Sequence, residues 1–179
     1  MSFLTSGRKT ILFIGLFLGL YLAWAMLYEW VIHPWGRLDQ LLINDSSLWS
    51  VFFLEALGYK TFTGDHPTIR TIGIDGTSGL WIGDPCNGLA LFALFTFFVV
   101  AYPGNWKHKI WFIPAGITLI HFANIFRIVL LCTILLNHPD WLNFNHTYLF
   151  QVVMYCFVFA LWLIWIHWFG KSVKKSAAA

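Results

Sequence analysis

Charged side chains are scarce in this sequence. Asp, Glu, Lys and Arg make up 11% of the 179 residues and apolar types 59%, whereas a soluble domain carries about 25% charge. That shortage excludes an ordinary water-soluble globule and makes lipid the main solvent of the chain. Cysteine is scarce too. Cys86, Cys132 and Cys156 fall at unrelated spacings with no C-x-x-C pair, which argues against a disulfide framework and against a quinone-linked thiol oxidase that relays electrons through paired thiols. H-x-x-x-H and H-E-x-x-H are missing, and His33, His66 and His138 fall on separate segments, so no metal site is expected. There is no glycine-rich phosphate loop and no internal repeat. No basic patch is concentrated enough to suggest nucleic acid, and no cofactor is called for.

What the chain does have is length in its apolar runs. A helix needs roughly 20 mostly apolar residues to cross the hydrocarbon core, and four stretches qualify: Ile11–Trp30, Cys86–Tyr102, Trp111–Leu136 and Leu149–Trp168. The expected fold is an all-α polytopic membrane protein, a single membrane domain over residues 1–179. Arg8 and Lys9 before an apolar run, with the triplet Ala23-Trp24-Ala25, give the first stretch a signal-peptide look. Because the apolar run continues past the triplet, it is read as an uncleaved span. The terminal Ser176-Ala177-Ala178-Ala179 is given no role. Arg8/Lys9, Lys107/Lys109 and Lys171/Lys174/Lys175 mark the span ends that share a side, which the positive-inside rule makes cytoplasmic. Both termini are then cytoplasmic.

Residues 31–85 are expected to form a small outward cap. Leu38–Leu57 places Leu38, Leu41, Leu42, Leu48, Val51, Phe52 and Leu57 at helix-like spacing among Asp39, Asn44, Asp45 and Glu55, the pattern of an interfacial helix. Thr68–Ile74 and Ser78–Ile82 flank Asp75-Gly76-Thr77, a hairpin signal. This hairpin delivers the chain directly to Cys86. Asn44-Asp45-Ser46 and Asn145-His146-Thr147 match the N-glycosylation pattern, but so short a pattern recurs by chance and carries no weight here.

Lipid selects against buried polar groups, so those that persist in the spans are informative. Arg127 stands within Ile125-Phe126-Arg127-Ile128-Val129, about nine residues or roughly 14 Å of helix from the outward end of its span. It either snorkels or pairs to hold helices together, or it serves chemistry. His121, Asn124 and Arg127 recur every three residues, giving that helix one polar face. Cys86 sits between Asp84-Pro85 and Asn87-Gly88, where a hairpin meets a helix start and a thiol is reachable and activated by peptide dipoles. Cys132 and Cys156 read as packing residues. His146 opens the last span. Three spans thus bring a thiol, an imidazole and a guanidinium to the outward leaflet, able to act as nucleophile, base and anion-stabilising group.

These residues resemble the exosortase/archaeosortase family of membrane cysteine transpeptidases. The resemblance rests on Cys86-Asn87-Gly88-Leu89, Asn124-Ile125-Phe126-Arg127 and His146, in matching order and spacing, and covers Gly79 to Trp168. It implies a Cys-Arg-His active site at Cys86, Arg127 and His146, in a short member of the family. It also implies substrates that are membrane-anchored proteins with a C-terminal sorting signal: a short motif, a span and a basic tail. The signal would be cut through a thioester at the outer face of the cell inner membrane, with the new terminus passed to an acceptor or to water. Asn87 and Thr147 depart from the Ser and the acidic residue often found at those places. Asp84 and Asn124 are then the candidates for orienting His146. Two other readings remain open at this stage. One is a non-catalytic scaffold or secretion accessory held by an Arg127–Asn124 pair; the other is redox chemistry pairing Cys86 with Cys132 or Cys156.

Overall fold

The computed structural model describes residues 2–64 and 69–169. Outside them lie Asp65, His66 and Thr68 of the expected cap, Lys171, Lys174 and Lys175 of the charge count, and the terminal Ser176–Ala179; the side chain of Thr147 is likewise not described. Among the described residues seven α-helical segments and three strands follow one another: α1 Ser2–Leu27, α2 His33–Trp35, α3 Arg37–Ala56, β1 Thr61–Gly64, β2 Thr71–Ile74, β3 Leu80–Trp81, α4 Leu89–Ala101, α5 Trp106–Asn137, α6 Leu142–Phe144 and α7 Phe150–Trp168. A π-helical segment, Tyr28–Ile32, joins α1 to α2, and a second, Asn145–Leu149, joins α6 to α7. The protein is an all-α multi-pass membrane protein with a small mixed cap.

Among the described residues three stretches are long and apolar enough to cross a membrane: Gly7–Trp35, Trp106–Asn137 and Phe150–Trp168. A fourth apolar helix, α4, has 13 residues, about 20 Å of rise against a hydrocarbon core of about 30 Å. It is shorter than the run Cys86–Tyr102 because Cys86, Asn87 and Gly88 are spent on a turn. Contacts fix the order of these four rods. Phe13, midway along α1, meets Phe98 and Tyr102 at the end of α4, whereas Trp24 nearer the end of α1 shares a cavity wall with Leu89 at the start of α4, and Phe112 near the start of α5 meets Trp165 near the end of α7. Successive rods therefore run antiparallel. Gly116 lets α4 and α5 close up: a Cβ there would lie 2.2 Å from the Phe95 ring. Ile11, Leu12, Leu18, Leu22 and Met26 of α1 point outward, as lipid requires of a spanning helix.

At one end the four rods carry the cap. Gly36, with φ 67°, ends the first rod in the left-handed conformation that glycine adopts without strain, and its N–H bonds Ile32 O at 3.0 Å. The chain folds back into α3 at once. Its inner face is Asp39, Ile43, Ser46, Ser47, Ser50 and Leu54, whereas Leu41, Leu48 and Phe52 are exposed. The inner face thus mixes Asp39 and three serines with Ile43 and Leu54, while the outward Leu41, Leu48 and Phe52 suit a helix lying against lipid. The expected hairpin is present, with Thr71 opposite Trp81, Ile72 opposite Leu80 and Gly76 in the turn at φ 89°. β1 adds a third antiparallel strand with Thr61 opposite Ile74.

Two interiors result. Under the sheet, Ile43, Leu54, Ile72, Ile74, Leu80 and Ile82 pack on Ile128, Val129, Leu131 and Cys132 of α5. Between the rods, Phe92, Phe95, Phe112, Ile120, Met154 and Trp165 form the other. The last turns of α5 therefore carry the cap, and Arg127 lies level with the seam between the interiors. At the opposite end Lys109 is buried, and its Nζ donates to Val100 O at 2.7 Å and Tyr102 O at 2.8 Å. It caps the carbonyl end of α4 as well as adding positive charge there.

Candidate functional site

Cys86 lies in a single 3-10 turn, Asp84–Cys86, that follows the hairpin. Pro85 fixes the backbone at the start of that turn, Cys86 N–H bonds Gly83 O at 2.9 Å, and Gly88 takes φ 84° to swing the chain into α4. Asn87 Oδ1 accepts from Leu89 N at 2.8 Å, satisfying one of the free amides at the helix start. The thiol thus precedes α4 by one turn. It is half-buried at the edge of the interior beneath the cap.

His146 comes to it from the π segment ahead of α7. The i to i+5 winding there, closed by Phe150 N to Asn145 O, is rare and is found disproportionately at functional sites. Cys86 Sγ and His146 Nε2 are 3.6 Å apart, within hydrogen-bonding reach for sulfur. Burial, and after it the charge of Arg127, hold the His146 pKa below the ordinary 6.5. Both effects favour the neutral imidazole, the form that can accept a proton.

α5 supplies the third side. Asn124 Nδ2 donates to the Cys86 carbonyl at 2.9 Å, and Arg127 Nη2 approaches the same oxygen at 3.5 Å. Arg127 Nε is buried without a hydrogen-bond partner among the described residues. Its guanidinium therefore keeps an N–H in reserve beside the Cys86 turn. Asn124 and Arg127 are both aimed at the Cys86 turn rather than tied to one another.

Sequence reasoning missed a second layer behind this one. Asp39 of α3, 1% exposed, accepts from Asn87 Nδ2 and from Tyr28 OH, the latter at 3.0 Å. His33 Nδ1 stands 3.7 Å from Asp39 Oδ2 and 3.9 Å from Asp84 Oδ2, and Arg70 pairs with Asp84 Oδ1 at 2.8 Å. These contacts clamp the turn on both sides of Cys86. Of the two residues considered for orienting His146, Asp84 pairs with Arg70 and Asn124 donates to the Cys86 carbonyl. The available signal was Asp39 itself, an acid on the same helical face as Ile43, Ser46 and Ser50. All three cysteines are free: Cys132 is buried in the cap interior and Cys156 is exposed on α7. No group of three or more His, Cys, Asp or Glu that could hold a metal ion occurs among the described residues.

A multi-pass membrane protein with a thiol and an imidazole in contact at the seam between bundle and cap is a narrow class. Residues 1–163 match the family model described as Transmembrane exosortase (Exosortase_EpsH). The chain belongs to the transmembrane exosortase family. No curated protein and no solved structure matches it.

Proposed function

We propose that this protein is a membrane cysteine peptidase or transpeptidase that cuts the C-terminal sorting signal of membrane-anchored proteins, with Cys86 as nucleophile, His146 as acid and base, and Arg127 as the anion-stabilising group. The observation that carries the reading is the 3.6 Å contact between Cys86 Sγ and His146 Nε2, made by residues 60 apart in the chain. Nε2 takes the thiol proton, and the thiolate attacks the scissile carbonyl. The oxyanion that forms is met by the spare N–H groups of Arg127. As the C–N bond breaks, His146 returns the proton to the leaving amine, leaving a thioester on Cys86. Water or an acceptor then gives a proton to His146 and attacks the thioester carbonyl. The C–S bond breaks and the thiol is restored.

The cap end is assigned to the outer face of the cell inner membrane, because Arg8, Lys9, Lys107 and Lys109 gather at the other end. On that assignment the active site faces outward and the termini lie in the cytoplasm. Intact-mass measurement of a co-expressed candidate substrate tests the function. With wild type it should be shortened at the C-terminus, and with Cys86→Ala it should keep its full mass; shortening by Cys86→Ala would overturn the reading in favour of a scaffold role.

A further inference from the structure

α1 and α7 meet toward the end remote from the cap, where the rings of Phe17 and Trp162 are 6.1 Å apart. Nearer the cap a cavity of about 520 Å³ parts them, lined by Tyr21, Ala25 and Glu29 of the first rod, Ala90 of α4, and Gln151 and Tyr155 of α7. Its cap-end wall is Asp84, Pro85 and Asn87, the residues on either side of Cys86. The volume is that of a ligand pocket. From Tyr21 to Glu29 the helix rises about 12 Å, the length of about four residues of extended chain.

The lining shows which occupant the slot suits. Extended peptide at membrane depth must find partners for each N–H and C=O, whereas a lipid acyl chain needs none and would strand polar neighbours. Gln151, Glu29, Tyr21 and Tyr155 offer such partners on both walls. Ala25 and Ala90 leave the width for a backbone. We infer that this slot receives, in extended form, the few residues joining a substrate's transmembrane helix to its cleavage segment, which enter sideways from the lipid between α1 and α7. The inference rests on the cysteine peptidase reading of the adjacent turn and adds where the substrate lies and how it arrives.

The test uses a synthetic peptide with a six-residue polar head, an apolar span of about 20 residues, a Lys-Lys-Arg tail and a benzophenone at the residue preceding the span. It is photolysed with full-length Cys86→Ala protein in phospholipid nanodiscs, beside a phospholipid bearing the same group on its acyl chain. Peptide adducts should map to Tyr21–Glu29 and Gln151–Tyr155. Ala25→Trp and Ala90→Trp, each made in that background, should cut their yield by at least about tenfold, as when bulk fills a fitted pocket. Plugged proteins that keep Cys86 should still be alkylated by iodoacetamide at the wild-type rate, which separates a blocked slot from a misfolded one. Adducts indifferent to both plugs, or a slot labelled by the phospholipid alone, would overturn the inference. The peptidase reading fails separately: shortening of the co-expressed substrate by Cys86→Ala protein sinks it and leaves the slot standing. Cleavage undiminished by either plug sinks the slot alone.

Discussion

On the cap side of the Cys86 turn the interior is mainly aliphatic, with Ile43, Leu54, Ile72, Ile74, Leu80 and Ile82 against α5, whereas on the bundle side aromatic rings, Phe92, Phe95, Phe112 and Trp165, are set among aliphatic side chains. The materials differ because the solvents differ. Branched aliphatics fill the space between a pleated sheet and a helix, and they gain by leaving water. Rods surrounded by lipid gain little from hydrophobic transfer and associate through close contact, which broad rings against Gly116 supply. Neither material suits the seam between them. Polar groups gather there: Asn124, Arg127, Asn87 and Asp39, around a thiol that belongs fully to neither interior.

The strongest way to break this picture is at the thiol. Cys86→Ser should abolish processing while leaving thermal stability in detergent near wild type, because the side chain is half-buried at the seam and not central to either interior. Retention of most of the activity would remove Cys86 as nucleophile. Next in size is His146→Ala, for which a loss of about 10²–10⁴-fold in rate with substrate binding kept is expected. The pH dependence has a definite sign. Since the His146 pKa is held below 6.5, wild-type processing should stay level as pH drops from 7.5 to that value and decline only below it, where the base becomes protonated. Between the folded and ordinary values the unfolded chain binds more protons at this ring, so stability also falls as pH drops through 6.5. A decline in rate already complete above pH 7 would contradict the neutral imidazole.

Arg127→Lys should cost about 10²-fold in processing with normal stability, since a planar fork beside the Cys86 carbonyl is replaced by a point charge on a flexible stem. If Arg127 serves only to join helices, lysine should substitute with processing intact. The smallest effects should separate the interiors themselves. Ile72→Ala, at a fully buried site, should destabilise the cap by about 2–5 kcal/mol and open it to protease while the rods stay assembled. Phe95→Ala should instead lower the detergent melting temperature with the cap still protected. Identical protease patterns for the two variants would show that cap and bundle unfold as one unit.

The sequence made the bundle legible because a lipid-facing rod must be apolar throughout, and Asp75-Gly76 made the hairpin legible because few turns tolerate other residues. β1 was not, since Thr61-Phe62-Thr63-Gly64 is too short to show a period and pairs with residues beyond its own turn. Arg127 stood out as a charge within an apolar run, Cys86 as a thiol where the hairpin meets a helix start, and His146 as an imidazole opening the last span. Asp39, Tyr28 and His33 did not. An acid on an amphipathic helix and a tyrosine closing an apolar run have ordinary explanations at a membrane surface, and only the fold brings Asp39 to Asn87 across 48 residues.

The π segment at Asn145–Leu149 acts on the azimuth of the last rod. One extra residue in a helical turn rotates the residues on its N-terminal side by about 100° relative to those on its C-terminal side. Met154, Val158, Leu161 and Trp165 can then keep their stripe against the other rods while His146 looks toward Cys86, a bearing set independently of that stripe. The bundle's packing and the imidazole's aim are thereby decoupled within one continuous helix. A lineage can repack α7 residue by residue without turning its base away from the thiol, whereas a single deletion in the π turn would swing the base off target and leave the packing stripe unaltered.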